Sequence, residues 1–140
     1  MSEPAKRPVG LTRDVGWEIG VRRTFPMSLE EAWRLITSPE GIRIWLGEGP
    51  AFSLEKGDAF SLDDGTTCEI RVFKTHSHLR LRRKPADTQQ ASTIQLRVLE
   101  NGNRSVIAFH EENLASAEQR EARRAHFAAA LDKFEARLEK

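Results

Sequence analysis

The hydrophobic period of the chain changes several times along its length. Between Trp17 and Phe25, apolar side chains stand at alternate positions, Trp17, Ile19, Val21 and Phe25, with Glu18, Gly20, Arg22 and Thr24 interleaved. That alternation predicts a strand with one face buried, and Pro26 stops it. After Ser28 the period lengthens: Leu29, Ala32, Trp33 and Ile36 form a helical stripe, opened by Ser28 and Glu31 at capping-box spacing. Ser38 followed by Pro39 predicts a second short helix reaching Trp45 and closed at Gly47. Strands are then predicted at 51–54, 58–62, 67–74, 79–84, 93–100 and 104–111, because each run is bounded by turn-forming residues such as Gly57, Gly65, Pro85 and Gly102. Finally Phe127, Leu131, Phe134 and Leu138 share one helical stripe, with Ser116 and Gln119 as its capping pair. A helix over 117–139 spans roughly 35 Å, enough to cross a small sheet.

The order strand, two short helices, six strands, long helix predicts an α+β fold in which a curved antiparallel sheet of six to seven strands is covered by the last helix. Such a layered pair leaves room for a pocket between sheet and helix. Residues 1–15 carry Pro4, Pro8, Gly10 and several basic side chains but little apolar bulk, and predict a flexible N-terminal arm. Residues 16–140 form the one folded domain expected of this length.

Composition narrows the partners. A formal net charge of +1 over 140 residues gives no general reason to expect nucleic acid, and no apolar run is long enough to insert into a membrane. The single cysteine, Cys68, has no intramolecular disulfide partner, which suits a reducing cytoplasm. Cys68 itself reads as a small core residue. His76 and His78 have the spacing of a metal pair on a continuous strand, but the pattern puts a turn between them, so neither a metal nor a cofactor is expected.

Strand parity singles out two polar residues. Arg23 shares the face of Val21 and Phe25; the leading reading places it at the sheet's rim with its head in water, and if turned inward it needs an anionic partner, for which Glu111, Glu112 or a ligand are candidates. His110 has the parity of Val106 and Ala108, which predicts an inward side chain; it reads first as a hydrogen-bonded structural histidine, and secondly as a group that orients a ligand carbonyl or, with Glu111 or Glu112, as a weak candidate for acid–base chemistry. Arg71, Arg80, Arg82 and Arg97, with Arg83 and Lys84, are expected to form a basic outer surface, and Arg120, Arg123 and Arg124 to face solvent.

The stretch Gly20 to Pro26, then Glu31 to Trp33, Ser38 to Gly41 and Trp45 to Gly47, resembles the opening of the START-like (SRPBCC) superfamily. More narrowly it is similar to the bacterial branch named after the activator of the heat-shock protein 90 ATPase. Asp64 to Thr66, Arg80 to Arg82, Ser92 with Thr93, Phe109 to Glu111, Arg120 with Glu121, and His126 with Phe127 continue the resemblance in order and spacing. Two positions depart from it: Phe127 and Arg83 stand where relatives commonly carry tryptophan. The resemblance implies the helix-grip fold. It also implies, as the leading reading, binding of a small hydrophobic or amphipathic ligand between the sheet and the C-terminal helix. Arg23, Trp33, Trp45, Phe60, Ile70, Leu81, Leu96, His110, Phe127 and Leu131 would contact it, with Phe52, Val72 and the rest of the apolar set around them. A protein-interaction module of the co-chaperone kind and a polyketide cyclase- or hydrolase-like enzyme are the alternatives, in a monomer or homodimer.

Overall fold

The computed structural model describes residues 11–12, 16–50 and 54–138. Seven strands, β1 (Leu11–Thr12), β2 (Gly16–Phe25), β3 (Ala59–Ser61), β4 (Thr67–Lys74), β5 (His78–Lys84), β6 (Ser92–Asn101) and β7 (Arg104–Leu114), make one antiparallel sheet. Its order is β1-β2-β7-β6-β5-β4-β3, so the meander from β3 to β7 brings the last strand back against β2. Most of the predicted arm at 1–15 lies outside the described residues; within it, Leu11 pairs with Trp17. The predicted strand at 51–54 also falls outside them, apart from Leu54.

The two short helices, α1 (Leu29–Thr37) and α2 (Pro39–Trp45), follow β2 as expected. The Ser28–Glu31 capping box is complete in both directions. One hydroxyl joins the two helices: Ser38 Oγ donates to Leu35 O at 2.8 Å and accepts from the Gly41 N–H at 3.0 Å. A side chain at position 41 would place its Cβ 1.8 Å from Leu35 O, so this junction closes only on glycine.

The long helix α3 (Ala117–Leu138) lies across the inner face of the sheet. At its start Gln119 N–H bonds Ser116 Oγ, while the Gln119 side chain accepts from the Ala115 N–H, one residue before its expected partner. Phe127, Leu131 and Phe134 are buried on the sheet side, but Leu138 is exposed, and Ala130 completes the stripe in its place. Position 138 keeps the angle of the stripe, but at the last turn of the helix it lies in an open groove beside Met27, Leu35 and Ser38.

Between α3, α2 and the sheet lies the core. Trp45, Ile70, Leu81, Leu96, Phe127 and Leu131 are packed there with Trp33 at one end, and Phe60 packs from the edge strand. Trp33 meets Phe73 edge to face at 5.4 Å, and Phe127 stacks on Phe109 with ring centroids 4.7 Å apart. A bulge between Ile70 and Val72 changes the parity of β4. Ile70 stands opposite Leu81, but Val72 stands opposite Arg80 and turns to the outer face, which gives its inner place to Phe73.

A buried charge cluster beneath the terminal helix

Glu111 interrupts an otherwise apolar cross-strand row, Ile70–Leu81–Ile94–Glu111–Ile19. Its side chain is 0% exposed and is held by three donors. Arg123 Nε on α3 donates to Oε1 at 2.6 Å; Ser92 Oγ and Arg83 Nη1 donate to Oε2 at 2.5 and 3.4 Å. The Arg83 and Arg123 side chains are only 14% and 11% exposed. Arg83 comes inward because it alternates with Leu79 and Leu81, and Arg123 because it lies one helical turn before Phe127, whose ring its guanidinium covers at 4.9 Å.

This corrects four expectations. His110 does not face inward: β7 alternates so that Ile107, Phe109 and Glu111 point to the core, and His110 turns out to Glu18, 3.3 Å away. Adjacent strand residues occupy opposite faces, so His110 and Glu111 cannot act together as acid and base. Arg83 does not belong to the outer basic surface, and Arg123 does not face solvent. Arg23 keeps its inward parity, but its partners are Asp132 at 2.8 Å and Glu135 at 3.8 Å on α3, because β2 runs beneath that helix and the Glu111 carboxylate is already engaged.

The cluster holds two positive charges against one negative. Burial first, and then the neighbouring Arg123 charge, pull the Arg83 guanidinium below its usual value, while Glu111 opposes the shift. Arg83 Nε and Arg123 Nη2 are buried without a hydrogen-bond partner, at a cost of about 1–3 kcal/mol each for an unmet donor. Cys68, opposite Arg83 in the sheet, has its thiol pushed up to about 11 by burial. His126 donates from Nε2 to Trp45 O at 2.7 Å, and burial followed by the Arg123 charge lowers its pKa. The Asp64 carboxyl lies low chiefly because it accepts from the Thr66 N–H at 2.9 Å, with Arg83 adding a smaller pull.

Two cavities open on this cluster from outside. One of about 200 Å³ lies between α3 and the end of β5 and is lined by Arg83, Pro85, Asp87, Gln119, Ala122 and Arg123. The second, about 440 Å³, is bounded by Asp64, Thr66, Arg83, Pro85, Ala86 and Asp87. Of the residues predicted to contact a ligand, Trp45, Ile70, Leu81, Leu96, Phe127 and Leu131 fill the core beside the cluster rather than line either cavity. Trp33 and Phe60 lie further along the sheet, and Arg23 and His110 are engaged elsewhere.

On the outer face, Arg71, Arg80 and Arg82 border a groove of about 400 Å³ with Thr93, Glu112 and Asn113. His76 sits in the turn before β5 with φ 63°, and His78 opens the strand beside Ser77, so the two imidazoles do not share a strand face. Among the described residues no helix is long and apolar enough to cross a membrane.

Residues 26–139 match the family described as Activator of Hsp90 ATPase homolog 1-like protein. No curated protein matches the sequence. Among solved structures, CalU16 from Micromonospora echinospora superposes with a TM-score of 0.72 at 21% identity, over 82% of this chain and 71% of its own. Protein MLL2253 from Mesorhizobium loti gives 0.75 at 17% identity, over 87% and 96%. PFC0360w, an HSP90 activator from Plasmodium falciparum, gives 0.59 at 15% identity, over 71% and 75%.

Proposed function

We propose, from the premise that this chain belongs to the Activator of Hsp90 ATPase homolog 1-like family, that it is a binding domain for a small amphipathic molecule held at the seam between the sheet and the C-terminal helix. One observation carries this reading. A charged cluster of two arginines and one carboxylate lies between sheet and helix, next to an open cavity of about 200 Å³. Burying such a group costs stability that an apolar replacement would not, and a polar pole beside an apolar wall is what orients an amphipathic ligand. Pro85 and Ala122 supply the apolar wall; Arg83, Arg123 and Gln119 supply donors. The packed core then acts as the rigid floor, and the ligand sits nearer the surface than a chamber lined by Trp45 and Phe127 would hold it.

A panel of neutral and charged amphiphiles, read by thermal unfolding and native mass spectrometry, tests the reading. A binder raises the melting temperature with concentration by mass action. Ala122→Trp, which fills the cavity mouth from an exposed helix position, is expected to remove that shift while leaving the unliganded protein folded. A panel with no binder, or binding that Ala122→Trp leaves intact, rejects the seam as the site.

A second reading rests on the outer groove. Arg71, Arg80 and Arg82 give that face a basic border, suited to an acidic protein surface, and the family includes activators of a chaperone ATPase by its description. Charge reversal at Arg80 and Arg82 would abolish capture of such a partner; unchanged capture excludes this face.

A further inference from the structure

Resting on the seam as the ligand site, we infer that the ligand presents a single negative charge, a carboxylate, to Arg83 and Arg123. Charge balance is the first argument. Glu111 is the only anion paired with these two guanidiniums among the described residues, so one positive charge is left over. Asp87 and Asp64 border the cavities beside Arg83, yet neither forms an ion pair with it or with Arg123.

Donor supply is the second argument. Each guanidinium carries five N–H groups in a planar fork, and Glu111 takes a single nitrogen from each, Nη1 of Arg83 and Nε of Arg123. Arg83 Nε and Arg123 Nη2 are buried without acceptors, so the N–H groups open to a ligand are the remaining ones of the two forks, where Arg83 and Arg123 line the cavity. A planar carboxylate has two oxygens with which to span the two forks, and such charge-assisted bonds are about twice as strong as neutral ones. A dianion such as a phosphate monoester fits less well. It would overshoot the one uncompensated charge and share the cavity with Asp87. The size of the cavity, about 200 Å³, and its Pro85 and Ala122 walls select a body of about one ring.

The test compares benzoate, methyl benzoate and phenyl phosphate as probes of the intact protein, by calorimetric titration and by the amide shifts of residues 119–123. Benzoate is expected to bind at least about tenfold tighter than its neutral ester, the gain of one charge-assisted contact, and tighter than phenyl phosphate. Arg83→Gln should bring the acid down to the ester's affinity. Because Arg83 also touches Glu111, the exposed Ala122→Glu provides an independent arm: it should weaken benzoate and leave the ester unchanged. Ester and acid binding alike, both indifferent to Ala122→Glu, overturns the anion inference while the seam stands as a ligand site. Tighter binding of phenyl phosphate reassigns the pole to a phosphate and overturns the carboxylate. No perturbation by any of the three overturns both.

Discussion

Replacing Glu111 by glutamine keeps the shape of the side chain and removes its charge. The carboxylate is fully buried, accepts from Arg123 at 2.6 Å, Ser92 at 2.5 Å and Arg83 at 3.4 Å, and is, among the described residues, the one carboxylate ion-paired with two guanidiniums that already disfavour each other. Breaking a buried ion pair from one side costs about 3–5 kcal/mol, because the remaining charge is stranded. That is a large share of the roughly 5–15 kcal/mol by which domains of this kind are stable. At about 3 °C per kcal/mol for a chain of this length, the melting temperature of Glu111→Gln should drop by about 10–15 °C. Urea unfolding followed by the fluorescence of the buried Trp33 and Trp45 measures the free-energy change. A companion variant, Glu111→Leu with Arg83→Met and Arg123→Leu, should recover to within about 1 kcal/mol of the parent or exceed it, since apolar replacement of a whole buried cluster is often neutral or stabilising. Loss at low and high salt should be similar, as buried pairs are screened little. A Glu111→Gln protein within about 0.5 kcal/mol of the parent would mean that water already solvates the arginines, and the argument from burial would fail.

Other outcomes follow from the same geometry. Gly41→Ala drives a Cβ into the Leu35 carbonyl, which is backbone and cannot swing aside; a loss of about 3 kcal/mol or more is expected in urea unfolding, and an unchanged midpoint would contradict the α1–α2 junction. His126 is held neutral by burial, so its folded pKa lies below the ordinary 6.5. The unfolded chain therefore binds a proton first, and stability that is full above pH 6.5 falls as the pH drops from there through the folded value. In His126→Gln part of that slope should vanish, the remainder coming from His78, whose pKa is also lowered; identical slopes from pH 7.5 to 5 would refute it. With its thiol raised to about 11 and buried, Cys68 should resist a thiol reagent at pH 8 until the protein unfolds. Rapid labelling of the native state would show that β4 opens locally.

The elements were legible because their periods are clean: alternation marks β2, β5 and β6, and capping serines mark where α1, α2 and α3 begin. Faces were harder. In β7, Val106 and Ala108 compete with Ile107 and Phe109, so both parities look apolar, and choosing the first put His110 inside and left Glu111 out. Val106 is indeed buried, at 6% exposure, yet lies outside the main core, so burial at this end of the strand does not report the inner face. The signal that resolves it lies elsewhere. Arg83 shares the parity of Leu79 and Leu81, and Arg123 precedes Phe127 by one turn, so two inward arginines required an inward acid. Val72 was lost to a bulge, which shifts parity without leaving a mark that composition can show. The seam cavity belongs to residues from β5, its following loop and α3, brought together only by the tertiary fold.

Among the described residues, six polar side chains moor α3 at five points: Arg120 to Glu18 O, Arg123 to Glu111, His126 to Trp45 O, Asp132 and Glu135 to Arg23, and Arg137 to Glu40. Every mooring point is translated before the helix that fastens to it. Until α3 docks, Phe109 and Glu111 lie uncovered on the inner face of the sheet, open to non-native contacts. The late segment is rich in Ala, Glu and Arg, good helix formers, so it emerges already inclined to coil. Closure of the fold is thus the landing of a nearly formed rod, and any mistake in its axial position would be felt at five separated points at once.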